Sequence, residues 1–117
     1  MIDRSEIASQ VEQKRPYSWE IHYKGSTCKF ESDSPESAVI YDLEVPEHVR
    51  GQGIGTRLLE VAEEVIKENT EVKIIYAQVG AENGATRHVL QEKRGFKIVD
   101  VREQKSLGKI VDAEKNI

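Results

Sequence analysis

The sequence predicts a mixed α/β (α+β) fold, on three observations. Between Tyr17 and Val45, apolar residues alternate with polar ones and short turn signals interrupt them, which is the pattern of hairpin-paired strands. From Ile54 onward the apolar period becomes that of a helix. The near-continuous apolar run Glu71–Val79 follows at once, so the second half reads strand, helix, strand. A chain of 117 residues suits one domain spanning 1–117, and no repeat or low-complexity stretch divides it.

Taken in order, Asp3 to Lys14 places Ile7 and Val11 four apart with Ala8 beside them, which predicts a short amphipathic helix capped by Asp3 and ended by Pro16. Tyr17, Trp19, Ile21 and Tyr23 alternate along a half-buried strand. Gly25-Ser26 is a turn, and Thr27–Ser32 the returning strand, holding Cys28 and Phe30. After a turn at Asp33–Glu36, a longer strand runs Ser37–Val45 and stops at Pro46. Ile54, Leu58, Leu59, Val61, Ala62, Val65 and Ile66 then form one stripe, with Arg57, Glu60, Glu64, Lys67 and Glu68 opposite. The strand Glu71–Val79 is buried. Asn83–Arg94 is a weaker helix with Asn83 as its cap, Gly95 as a left-handed stop, and Phe96 folding back onto Leu90. Phe96–Val101 and Leu107–Val111 are further strands, and the tail from Asp112 is expected to fray.

Composition removes several function classes. A formal net charge of -4 gives no basic field for nucleic acid. No apolar run approaches the roughly 18 residues of a membrane helix, and the first residues lack the apolar centre of a signal peptide. The single cysteine, Cys28, excludes an internal disulfide and a multi-cysteine metal motif, so no metal is expected and a reducing, cytoplasmic setting is the simplest.

Three glycines precede the best helix, in Arg50-Gly51-Gln52-Gly53-Ile54-Gly55-Thr56. A helix N-terminus leaves N–H groups without partners and carries partial positive charge, and glycines let an anion approach them. The loop is therefore either a phosphate cradle or a turn that satisfies itself. It is neither of two familiar phosphate loops: no Gly-x4-Gly-Lys-Ser/Thr string exists, and Gly-x-Gly-x-x-Gly fails at Thr56 or Leu58.

What remains resembles the GNAT superfamily of acetyl-CoA-dependent N-acetyltransferases. Their pattern Arg/Gln-x-x-Gly-x-Gly/Ala is met by Arg50, Gly53 and Gly55. "LEVPEHVRGQGIG" resembles the end of the family's fourth strand and its loop, "RLLEVAEEVIKE" the next helix, "IIYAQVGAEN" the fifth strand and a helix start, and "LQEKRGF" the segment Leu-Tyr-Glu-Lys-x-Gly-Phe. The likeness runs from about Trp19 to Val101. It implies a mostly antiparallel central sheet with splayed fourth and fifth strands and flanking helices. It implies acetyl-CoA as cosubstrate, with pyrophosphate on the amides of Gly51, Gln52, Gly53, Ile54, Gly55 and Thr56 beside Arg50. The pantetheine arm would pair with the strand at Leu43 and Val45, and Asn83 would either touch that arm or serve only as a helix cap. The acceptor would be a primary amine (a small molecule, a protein N-terminus or a lysine) attacking directly in a ternary complex. A homodimer is compatible with the family.

An amine with pKa ~10.4 is neutral in about one molecule in a few thousand at pH 7, so a base is useful. Two positions depart from the family: the tyrosine used by many members as general acid is Gln91, and a carboxylate late in the fifth strand is Gln78. Glu44 and Asp42 share one strand face opposite Leu43 and Val45. Glu44 is the candidate base, its other reading being a solvated edge carboxylate; Asp42, Glu82 and His88 come next. Tyr41 and Tyr76 could donate a proton but read as core, as do Trp19, Phe30 and Cys28. His48, Arg57 and Arg87 could add charge near phosphate or simply be solvated. A non-catalytic acyl-CoA-binding sensor or interaction module is the alternative function, and a structural protein with a self-satisfied glycine turn a third.

Overall fold

The computed structural model describes residues 4–80, 84–104 and 108–117. Helix α1 (Arg4–Ala8) leads into strands β1 (Val11–Arg15), β2 (Ser18–Tyr23), β3 (Ser26–Glu31) and β4 (Ser37–Glu44). Helix α2 (Ile54–Asn69), strand β5 (Ile74–Gly80), helix α3 (Gly84–His88) with a π turn (Val89–Lys93), and strands β6 (Lys97–Gln104) and β7 (Gly108–Asn116) complete it. The seven strands form one mixed sheet in the order β1-β2-β3-β4-β5-β7-β6. Only β4 and β5 run parallel; the other neighbouring pairs are antiparallel.

Buried apolar side chains form one cluster drawn from every strand but the edges and from α1, α2 and the π turn. Ile54, Leu58, Leu59, Val61, Ala62 and Ile66 carry α2 onto Ile21, Cys28, Phe30, Ala38 and Ile40. Trp19 stacks on Phe30 with centroids 5.7 Å apart. The helices therefore lie on one face of the sheet. On the other face, Thr27, Lys29 and Glu31 alternate with the buried residues of β3, and no described helix covers them.

Two strand features shape the centre. In β4, Phe30 faces Ile40 but Lys29 faces Asp42, so Tyr41 is an extra residue, a β-bulge. The bulge keeps Leu43 on the buried face with Ala38 and Ile40. Second, β4–β5 pairing runs from Ser37–Ile74 to Ile40–Ala77 and stops, while β4 continues to Glu44 and β5 to Gly80. The two strands thus part at their C-terminal ends.

Four expectations need correction. The predicted helix to Lys14 ends at Ala8, because Val11–Arg15 pairs with the edge of β2, Val11 opposite Ile21. Sheet partners satisfy this backbone better than an isolated short helix could. The β2–β3 turn is Lys24-Gly25, both at positive φ (51 and 77), and Ser26 belongs to the strand. The helix predicted over Asn83–Arg94 changes to a π turn at Val89; Gly95 does stop it at φ 73, with the Phe96 N–H donating to the Leu90 carbonyl at 2.8 Å. The tail expected to fray is β7 itself, inserted between β5 and β6 with Val111 and Ala113 buried. Asp3, Asn83 and Leu107 lie outside the described residues.

Candidate active site

The site forms where β4 ends. Pro46 stops the strand, Glu47–Val49 make a single 3-10 turn, and the chain reaches α2 through Gly51 and Gly53 at φ 83 and 82. That left-handed region strains any L side chain, which is why glycine stands at both positions. Gly53 caps α2 with no side-chain hydrogen bond, and the first turn holds no acid. The leading N–H groups of α2 therefore point outward without a side-chain acceptor, as an anion requires. The Arg50 Nε donates to the Val45 carbonyl at 3.0 Å, which ties the loop to the strand end.

A cavity of about 470 Å³ opens in front of these amides. Leu43 of β4 and Val45 just beyond it line it, with Arg50, Gly51, Gly53, Ile54, Gly55 and Thr56 from the loop and helix start. A methyl group on Gly51 or Gly53 would meet nothing within 4 Å; one on Gly55 would lie 3.6 Å from both Val45 and Val89. Gly55 thus packs beside Val45 and the π turn. Gln52 is exposed and is not part of the lining. The opposite wall comes from Thr86, His88, Val89 and Lys93, of which only His88 was singled out from sequence. Lys93 escaped notice because a lysine in a helix's last turn ordinarily needs no more explanation than the helix dipole. Arg50 and Lys93 bring cations to the cavity, and among the described residues no carboxylate lines it.

Of the candidate proton-transfer groups, His88 lines the cavity and Glu82 lies outside the described residues; the others lie elsewhere. Glu44 is exposed, opposite Thr27 across the ladder, on the face of β4 away from Leu43 and the cavity. Asp42 is half-buried, with Lys29 Nζ at 3.9 Å. Gln78 is exposed opposite Asp112. Gln91 is exposed on a shallow depression that it shares with His88. His48 is exposed too. Tyr41, read as core, is 39% exposed, on the face opposite the buried Ala38 and Ile40, and Tyr76 is half-buried. Cys28 is fully buried, and desolvation pushes its thiol pKa far up. Among the described residues, no group of three His, Cys, Asp or Glu is placed to hold a metal ion, and no helix is long and apolar enough to cross a membrane.

The Acetyltransferase (GNAT) family model matches residues 17–96. No curated protein sequence matches the chain. Among solved structures, an acetyltransferase of the GNAT family from Streptococcus pneumoniae superposes with a TM-score of 0.72 at 17% identity, over 89% of this chain and 69% of that one. A GNAT family acetyltransferase from Elizabethkingia anophelis, with acetyl-CoA bound, gives 0.68 at 17% identity over 97% and 80%. The NatC complex bound to Gag peptide and CoA gives 0.67 at 16% identity over 86% and 71%. At these identities the likeness is one of fold.

Proposed function

The chain belongs to the GNAT family of acetyltransferases, and from that premise we propose that it moves the acetyl group of acetyl-CoA to a primary amine by direct attack in a ternary complex. One observation carries the reading: an uncapped helix start, preceded by two left-handed glycines, opens on a cavity at the point where β4 and β5 part. The amides of Gly53, Ile54, Gly55 and Thr56 suit pyrophosphate, with Arg50 and Lys93 supplying positive charge. Leu43 and Val45 offer an apolar wall and a free strand edge to the pantetheine arm. We assign Gly51, Gln52 and Asn83 to the same contact set, and residues 1–117 to one GNAT-like domain. A reducing, cytoplasmic setting suits the single buried cysteine. The open edge of β6, with Val99 and Val101 exposed, suits a homodimer.

On this reading the two substrates meet from opposite faces of the sheet. The thioester lies on the helix side, and the amine arrives from the open side, where Glu44 stands at the lip of the gap. A protonated amine gives one proton to Glu44, directly or through water. The neutral nitrogen attacks the thioester carbon while a backbone N–H near Leu43 to Val45 receives the developing oxyanion. The carbon–sulfur bond then breaks, and the second nitrogen proton ends on the leaving sulfur. Glu44→Gln keeps shape and removes the base, so acetyl-CoA binding should persist while turnover falls about 10²-fold. The loss should shrink at high pH, where more amine is already neutral. Wild-type turnover in Glu44→Gln at neutral pH would place the base elsewhere.

The second reading, a non-catalytic acyl-CoA-binding module, is favoured by Gln78 and Gln91, neither of which can transfer a proton. CoA release with a panel of amines separates the two: release supports transfer, and tight acetyl-CoA binding without release supports the module.

A further inference from the structure

A thioester that gives up its acyl group leaves a sulfur that must take a proton, and we infer that His88 delivers it. The inference rests on the acetyltransferase reading above and adds a residue to it.

His88 ends α3 and lines the cavity directly ahead of the π turn. In that turn the Arg94 N–H donates to the Val89 carbonyl at 3.0 Å, five residues back, so the turn is wider than an α-helical one. With more than four residues per turn, Lys93 follows His88 and Val89 onto the cavity wall. Gln91 is carried round to a shallow depression outside it. His88 borders that depression too, beside Arg87 and Glu92, so its exposed ring stands between the cavity and solvent.

The place along the cavity is fixed by packing. Val45 and Val89 each come within 3.6 Å of the point where a methyl on Gly55 would sit, so the start of the π turn abuts the chain just beyond β4. The thioester lies there in the proposed reaction, and His88 precedes Val89 directly. Among the described residues, the titratable side chains on the cavity are Arg50, His88 and Lys93. Guanidinium and ammonium groups hold their protons at neutral pH and suit phosphate. An imidazole both gives up and regains a proton in that range.

As the carbon–sulfur bond breaks, its electron pair goes to sulfur, and sulfur takes a proton from the His88 imidazolium. The imidazole left behind takes up the second nitrogen proton, directly or through water in the depression. A thiol, an amide and the restored imidazolium result, while the first nitrogen proton stays with Glu44.

CoA and desulfo-CoA, which differ only at the sulfur, test the placement, with the His88 ring followed by NMR as pH is raised. Bound thiolate pairs with imidazolium, so the ring should keep its proton to a higher pH with CoA than with desulfo-CoA. Turnover gives the second measurement, with glycinamide, Nα-acetyl-lysine and spermidine among the acceptor amines. His88→Gln should lower kcat about tenfold, below the usual reach of acid–base catalysis because a thiolate already leaves readily. KM for acetyl-CoA should stay within about twofold, with an unchanged melting temperature. The acetyl selenoester of the same carrier, whose selenolate leaves without a proton, should close most of the gap between variant and wild type. Equal ring titration in the two complexes, an unchanged kcat in His88→Gln, or a defect just as large with the selenoester would overturn this inference and leave the acetyltransferase reading standing. No CoA release with any amine, despite bound acetyl-CoA, would overturn both.

Discussion

Cys28 shows how a single side chain can carry a measurable consequence of the fold. It packs in the core between Ile21 and Leu43, its cross-strand partners, and burial holds its thiol protonated well above the ordinary range. The unfolded chain releases that proton near pH 8.5–9. Above that pH the native state binds more protons than the unfolded one, so stability falls as pH rises, by about 1.4 kcal/mol per pH unit for this group. Urea unfolding of wild type and Cys28→Ala from pH 7 to 10 checks this: the gap between their stabilities should narrow above about pH 9, and parallel profiles would contradict it. At this same scale, Gly51 and Gly53 were legible in the sequence because only glycine sits comfortably at their backbone angles. Lys93 was not, because it reaches the cavity from the end of a π turn whose extra residue per turn shifts the side chains along it, and Thr86 and Val89 carry no sequence signal of their own.

Among the elements, α2 is held by more than its apolar stripe. Its Glu63 is 4% exposed and takes the Arg94 Nε at 2.8 Å and the Lys115 Nζ at 2.6 Å. Arg94 also approaches Glu60, which Arg57 binds at 2.8 Å. This network joins α2, the residue after the π turn and β7, and so steadies two walls of the cavity. Hydrogen bonding to Glu63 raises the Arg94 pKa further, so that guanidinium stays charged. Removing the carboxylate leaves two cations facing each other. Glu63→Gln should cost about 2 kcal/mol in urea unfolding, below the 3–5 kcal/mol of a fully buried pair because Arg94 and Lys115 each keep part of their side chains in water. A loss under about 0.5 kcal/mol would show the network to be incidental. The strands that sequence periodicity missed, β1 and the second half of β7, share a cause. Their apolar residues are few and small, Val11 in one and Ala113 in the other, and what fixes them is pairing with a neighbouring strand, β2 for the one and the distant β5 for the other.

At the scale of the whole molecule, the arrangement follows from two events at the end of β4, both local in sequence. The bulge at Tyr41 keeps Leu43 inward and Glu44 outward, and the loss of pairing with β5 opens a way between the two faces. The α/β order, the glycine loop and the long helix were legible because each has a strong local signature. The bulge, the strand order and the bare face were not, because each depends on which distant strand lies alongside. Acetyl-CoA is proposed to bind at the start of α2. Titrating acetyl-CoA into the protein while following backbone amide resonances tests it most directly. Saturable shifts are expected, largest at Gly53, Ile54, Gly55 and Thr56 with smaller ones at Leu43 and Val45, and lost in Gly53→Val, whose side chain would enter the space that the anion needs. Unmoved amides at these positions in the wild-type protein at millimolar acetyl-CoA, or an unchanged response in Gly53→Val, would contradict it.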